Sequence, residues 1–154
     1  MKILLIEDDV EKLKTLQQFL RGEFAEAQVT VARSFASGLR AAIAGEDEID
    51  VILLDMSMPN YDVSFSEPSG GTPEHFAGRD LLTQMRLRSI AIPTIVVTMF
   101  DSFGEKPNTI SLGQLADQLR SEYAPPFREL VYYDSRREGW KKQLKESIVR
   151  VIGG

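Results

Sequence analysis

Two short apolar runs in this chain each end in acidic residues, and this pattern restricts the fold more than any other feature. The first run, residues 3–6, is followed by Glu7, Asp8 and Asp9, and the second run, residues 51–54, is followed by Asp55. Apolar runs of this length are typical of buried parallel strands. Acids that follow two such strands lie at the carboxyl edge of the sheet, where open α/β sheets bind ligands. The sequence therefore predicts an acidic crevice, whose charge requires a divalent cation, a shared proton or wide solvent separation.

Strand and helix patterns alternate along the rest of the chain. Apolar and β-branched runs predict strands at 2–6, 29–31, 50–55, 94–98 and 130–133. Apolar residues at helical spacing predict a helix after each strand: one over 9–21, one capped by Ser34, one opened by Gly78, one capped by Ser111 and one that begins near Gly139. This order is (βα)5 with right-handed crossovers, which predicts a doubly wound α/β fold.

Two segments interrupt the alternation, at about 60–77 and about 99–110. The first is rich in serine, glycine and proline, and loops of that length in a compact domain are usually functional or mobile. Both segments leave the sheet at or near its carboxyl edge, so we expect them to lie close to the acidic crevice. A length of 154 residues predicts a single domain over 1–154.

Composition excludes several classes of function. The chain has no cysteine, which excludes thiol catalysis and cysteine–zinc sites. A net charge of −5 argues against non-specific nucleic-acid binding through the whole surface, and we expect no direct nucleic-acid partner. No apolar run approaches the ~20 residues of a membrane span, and no signal peptide precedes the first strand. We therefore expect a cytoplasmic protein with no direct membrane contact.

The strand-end acids and their context resemble the receiver domains of response regulators in two-component signalling. Residues 55–59 match the D-x-x-[LM]-P signature of that family, and Thr98 ends the fourth predicted strand as a threonine does in receivers. The resemblance implies a flavodoxin-like sheet of five parallel strands in the order 2-1-3-4-5. It also implies that 1–154 is a single receiver-like domain.

The same resemblance assigns roles to the acids. Asp55 would accept a phosphoryl group, since a carboxylate can attack phosphorus once a metal neutralises both partners. Asp8, Asp55 and the backbone carbonyl of Ser57 would bind Mg²⁺ directly, and Glu7 would bind it through water. Mg²⁺ prefers such oxygen ligands.

A switch role is implied for two further positions. Thr98 would hydrogen-bond the phosphoryl oxygens, and the ring of Tyr132 would follow it. Tyr133 is the alternative if the strand register differs by one residue, because such a shift moves every side chain to the other face.

The chain departs from the family at one position. Receivers carry a lysine at the end of the fifth strand, and the aligned residue here is Ser135, beside the negatively charged Asp134. Arg136, Arg137 and Lys106 are the basic residues that we consider as substitutes, although a guanidinium fork is not equivalent to an ammonium.

The sequence therefore predicts a stand-alone receiver rather than an enzyme. A histidine kinase or a phosphotransfer protein would phosphorylate Asp55 in a phosphorelay, and a downstream protein partner would receive the output. The alternative is a pseudo-receiver that acts as an unphosphorylated adaptor. A phosphohydrolase of the haloacid-dehalogenase type is disfavoured, because Ser57 stands where that family has a second acid.

Overall fold

The computed structural model describes residues 1–61, 76–100, 102–104 and 107–153. Its strands are β1 (Lys2–Ile6), β2 (Gln28–Ala32), β3 (Val51–Leu54), β4 (Thr94–Thr98), β5 (Ser102–Phe103), β6 (Ile110–Ser111) and β7 (Phe127–Tyr132). Five of them form a parallel sheet in the order β2-β1-β3-β4-β7. Counted within that sheet alone, the order is 2-1-3-4-5, so the predicted flavodoxin-like topology is confirmed.

In the described ranges, five helices cover both faces of the sheet: α1 (Val10–Glu23), α2 (Phe35–Ala44), α3 (Ala77–Leu87), α4 (Leu112–Glu122) and α5 (Gly139–Gly153). One core packs α2, α3 and α4 against one face, and a second core packs α1 and α5 against the other. All four side chains of the central strand β3 are buried, because both of its faces are covered. The predicted doubly wound α/β fold is therefore confirmed.

Two of the helices begin at the predicted capping residues. Ser34 and Ser111 each form a capping box with the residue three positions later. Asp9 caps α1, where its side-chain Oδ1 accepts a hydrogen bond from the backbone N–H of Lys12 at 2.9 Å. Since Asp9 satisfies the first turn of α1, Glu7 and Asp8 remain as the acids of the predicted site.

Two local predictions were wrong. The last strand of the sheet begins at Phe127 rather than 130, because the buried Phe127 pairs with Thr94 although charged residues follow it. The strand also ends at Tyr132, one residue before the predicted limit. In the 99–110 segment the sequence predicted no strands, whereas β5 and β6 pair there as an antiparallel ribbon.

The segment at 60–77 lies mostly outside the described residues. Within the described ranges, no helix has the length and apolar content needed to cross a membrane.

Candidate functional site

The carboxyl ends of β1 and β3 bring Glu7 and Asp55 together. The two strands pair with Ile6 opposite Leu54, so the next residue of each strand lies at the same edge of the sheet. The backbone N–H of Asp55 donates to the carbonyl of Ile6 at 3.0 Å, which extends this pairing by one residue. Both acids are nearly inaccessible to solvent, with 1% exposure for Glu7 and 4% for Asp55.

Lys12 supplies the positive charge between these two acids. Its Nζ lies 2.6 Å from Glu7 Oε1 and 3.3 Å from Asp55 Oδ1. The same ammonium donates to the carbonyl of Val97 at 2.6 Å, so α1 is tied through this one side chain to β1, β3 and β4. The Lys12 side chain is only 1% exposed. A buried ammonium with three oxygen partners is the arrangement that offsets the desolvation of its charge.

The protonation of the cluster follows from its burial. Desolvation raises the pKa of Glu7 from 4.5 to about 8, and the nearby Lys12 only partly opposes this rise. Burial alone would lower the pKa of Lys12, but the charges of Asp55 and Glu7 outweigh it and raise that pKa above its ordinary value. The raised pKa of Glu7 favours its neutral form and the raised pKa of Lys12 favours the ammonium, so less negative charge accumulates beside Asp55.

The structure places the oxygen atoms that were predicted to hold Mg²⁺ in different surroundings. The Glu7 carboxyl group is engaged by Lys12 and by the backbone N–H of Asp9, which donates to Oε2 at 3.2 Å. Among the residues that the structure describes, no cluster of three or more acidic, histidine or cysteine side chains is arranged to hold a metal. Mg²⁺ commonly takes one or two carboxylates and keeps several waters. The half-buried Asp8, Asp55 and the backbone carbonyl of Ser57 therefore fit this ion as donors of the right chemistry.

Thr98 and Tyr132 lie side by side, as predicted for the switch pair. They are opposite residues in the register of β4 and β7, and Thr98 is fully buried while Tyr132 is half-buried. The Thr98 hydroxyl accepts a hydrogen bond from the backbone N–H of Phe100 at 3.3 Å.

Tyr133 occupies a different environment, in the core formed by α1 and α5. Its ring lies 4.8 Å from that of Trp140, between centroids, and its centroid lies 5.8 Å from Lys12 Nζ. Successive strand residues alternate between faces, so Tyr132 is the aromatic residue on the side of Thr98. The switch role of this pair stays a prediction.

The two arginines that we considered as substitutes for the family's lysine contact Asp134 rather than Asp55. Arg136 Nε lies 3.2 Å from Asp134 Oδ1, and Arg137 Nε lies 3.7 Å from Asp134 Oδ2. The side chains of Arg136 and Arg137 are 84% and 81% exposed. Lys106 lies outside the described residues. In the part of the chain that the structure describes, the ion-pair partner of Asp55 is Lys12.

Lys12 was not identified from the sequence, although a signal was present. It lies on the buried stripe of α1 with Leu16, Phe19 and Leu20, at helical spacing. A lysine in such a stripe requires an internal partner, because an isolated ammonium is too costly to bury. Its partners lie on three different strands, so only the packing of α1 on the sheet reveals them.

Comparisons with known proteins relate this chain to response regulators. No protein-family model matches the sequence. The chain is 32% identical over 151 residues to the Detocs response regulatory protein DtcB of Enterobacter cloacae (strain JD6301), which covers 98% of this chain and 100% of that relative.

Solved structures give the same fold. A response regulator receiver domain protein from Clostridium thermocellum superposes with a TM-score of 0.66 at 22% identity, covering 99% of this chain and 94% of that one. The receiver domain of a sensor histidine kinase from Pseudomonas aeruginosa PAO1, which has a magnesium ion coordinated in its active site cleft, superposes with a TM-score of 0.59 at 17% identity. That match covers 99% of this chain and 98% of the other.

Proposed function

We propose, from the premise that this chain belongs to the response regulator family of receiver domains, that Asp55 accepts a phosphoryl group in a phosphorelay. The observation that carries the proposal is the position of Asp55: it is buried directly after the central strand β3, with a cation 3.3 Å from one of its carboxylate oxygens. The backbone N–H of Met56 also donates to Asp55 Oδ1 at 2.8 Å, which fixes the orientation of the carboxylate. A fixed carboxylate is ready for in-line attack.

The transfer would form one bond and break one. A carboxylate oxygen of Asp55 bonds to the phosphorus of a phosphohistidine, and the N–P bond breaks, with its electron pair returning to the imidazole of a histidine kinase or a phosphotransfer protein. Mg²⁺, held by Asp8, Asp55 and the Ser57 carbonyl, would supply positive charge to the phosphoryl oxygens. Thr98 at the adjacent strand end would donate its hydroxyl to one of these oxygens.

Output would pass through protein contacts. A hydroxyl that turns toward the phosphoryl group vacates space on the face that Thr98 shares with Tyr132, and the half-buried ring can then move inward. A downstream partner would recognise that change. In this proposal residues 1–154 act as one cytoplasmic receiver domain with insertions, and the protein is neither an enzyme nor a direct ligand of nucleic acid or membrane.

Phosphorylation of purified variants tests the proposal. Wild type, Asp55→Asn and Asp80→Asn would be incubated with Mg²⁺ and acetyl phosphate, or with a cognate kinase, and measured by intact mass. Asp80 is an exposed acid on α3 and serves as the matched control. We expect a phosphoryl adduct in wild type and Asp80→Asn, and none in Asp55→Asn. An adduct that persists in Asp55→Asn, or its absence from wild type, contradicts the proposal.

The second candidate is a pseudo-receiver that binds its partner without phosphorylation. It is favoured by the pairing of Arg136 and Arg137 with Asp134, because both arginines then contact an acid other than Asp55. Partner binding that is equal in wild type and Asp55→Asn would support this candidate. Binding that requires the phosphorylated protein would support the first.

A further inference from the structure

We propose that Lys12 of α1 is the cation of the Asp55 site, which orients the acceptor carboxylate and contacts the phosphoryl group that Asp55 receives. The second part of this inference rests on the proposed function. The first part rests on the geometry of the site alone.

The three contacts of Lys12 locate its ammonium inside the site. Two of them are Asp55 Oδ1 at 3.3 Å and Glu7 Oε1 at 2.6 Å, which lie at the ends of neighbouring strands. The third is the carbonyl of Val97 at 2.6 Å, one residue before Thr98. The ammonium thus lies between the acceptor carboxylate and the strand end that carries the proposed phosphoryl-binding hydroxyl. A phosphoryl group on Asp55 would meet positive charge there without any rearrangement of the backbone.

Apolar packing alone does not account for a lysine at this position. The neighbouring buried positions of α1, including Leu16 and Leu20, are filled by apolar side chains. Replacing a buried ion pair by apolar residues of similar volume is often neutral or stabilising. Lysine also loses more side-chain entropy on burial than leucine does. The chain therefore retains a feature that packing alone would not select, at the atoms where a transferred dianion would need a counter-charge.

The geometry also limits what Lys12 can reach. An ammonium has three N–H donors, and its three oxygen partners use all of them. Contact with a phosphoryl oxygen would therefore replace one existing partner. Asp55 Oδ1 is the most distant of the three, so we expect that contact to be exchanged while those to Glu7 and Val97 persist.

The test compares Lys12→Met with Lys14→Met. Lys14 is an exposed lysine of the same helix, so its replacement removes equal charge at a distance from the site. Because Lys12→Met leaves buried acids without their cation, the pair is repeated in a Glu7→Gln background, which removes one of those acids. Circular dichroism confirms that each variant is folded at the temperature used.

Two readouts are measured on each folded variant. The first is Mg²⁺ affinity by calorimetry: loss of the ammonium removes repulsion of the divalent ion, and we expect Lys12→Met to bind Mg²⁺ at least about tenfold more tightly. The second is the rate of acetyl phosphate-dependent phosphorylation at saturating Mg²⁺. We expect this rate to fall by about 10- to 100-fold, the equivalent of one charge-assisted hydrogen bond.

The outcomes separate the two proposals. Unchanged Mg²⁺ affinity in Lys12→Met, or no Mg²⁺ binding by either protein, overturns the placement of Lys12 in the site. Tighter Mg²⁺ binding with an unchanged phosphorylation rate overturns its contact with the phosphoryl group. If wild type itself accepts no phosphoryl group, the proposed function fails, and the Mg²⁺ titration alone then decides whether Lys12 belongs to the site. If Lys14→Met changes the Mg²⁺ affinity and the phosphorylation rate as much as Lys12→Met does, both changes result from the net charge of the protein rather than from contact with the site. That outcome overturns the inference.

Discussion

Among the residues that the structure describes, two acid–cation groups at the carboxyl edge of the sheet differ in how the chain assembles them. Asp134 meets Arg136 and Arg137, which are two and three residues away in the sequence and largely exposed. Asp55 meets Lys12, which is far away in the sequence and almost fully buried. Exposed pairs are weak because water and salt screen them, whereas removing one partner of a buried group leaves an uncompensated charge. The arginines nearest to the expected position are therefore poor candidates for the cation of the site, and the distant lysine is a good one.

The largest expected difference between the two groups is in stability. Lys12→Met leaves Asp55 and Glu7 buried without their cation, and we expect the free energy of unfolding to fall by about 3–5 kcal/mol. Urea denaturation in EDTA at neutral pH measures this change, with Lys14→Met as the control. A loss below about 1 kcal/mol, which is typical of exposed pairs, would show that burial does not separate the two groups energetically.

The buried group should also impose a pH dependence. The pKa of Glu7 is raised from 4.5 to about 8 in the folded protein. The folded state therefore binds an extra proton between these values, and the free energy of unfolding falls as pH rises through that window. We expect a decrease on the order of a few kcal/mol at most, since a pKa difference of one between the folded and unfolded states corresponds to about 1.4 kcal/mol.

Glu7→Gln is the matched variant for this pH dependence. It keeps the uncharged side chain of the protonated state, so its stability should change much less between pH 5 and pH 8 at about constant salt. The raised pKa of Lys12 does not interfere, because its contribution is lost only above the ordinary value of 10.5. Parallel pH profiles for wild type and Glu7→Gln would show that Glu7 is not the titrating group.

A smaller effect is expected where α3 packs against the backbone that carries Asp55. A Cβ on Gly78 would lie 2.6 Å from the carbonyl oxygen of Asp55 and 3.0 Å from Cα of Met56. We expect Gly78→Ala to destabilise the protein by about 1–3 kcal/mol, because backbone must move to accept the methyl group. Thermal or urea unfolding measures this change.

Gly22→Ala in α1 is the control for that substitution, since its added Cβ would contact nothing within 4 Å. A stability of Gly78→Ala equal to that of wild type would mean that the Asp55 backbone yields easily, and the acceptor would then be less rigidly held than we infer.

The smallest effect is expected at the exposed group. Replacing Arg136 and Arg137 together by glutamine removes the partners of Asp134 and should change neither the unfolding midpoint nor the phosphorylation rate measurably. Phosphorylation that slows in this double variant, at constant ionic strength, would show that an arginine reaches Asp55 during transfer.

Several features were predictable because they depend on neighbours along the chain. The alternation of apolar strands and amphipathic helices predicted the doubly wound fold, and the capping residues Ser34 and Ser111 were confirmed. Strand ends were harder to predict: Phe127 joins the last strand because β4 offers it a partner, although the charged residues after it interrupt the apolar pattern. The β5–β6 ribbon likewise depends on pairing that no local pattern indicated.

The candidate site shows the same difference between residues that local sequence predicts and residues that only the tertiary structure places. Local sequence was sufficient to predict that Glu7 and Asp55 each follow a strand at the carboxyl edge of the sheet. The resemblance to receivers implied that these two strands are neighbours, as their pairing shows. It was not sufficient to identify Lys12, whose oxygen partners at Glu7, Asp55 and Val97 belong to three strands that meet only when α1 packs on the sheet. The acids could be found from the apolar runs that they follow, whereas their counter-charge depends on which side chain the tertiary structure buries beside them.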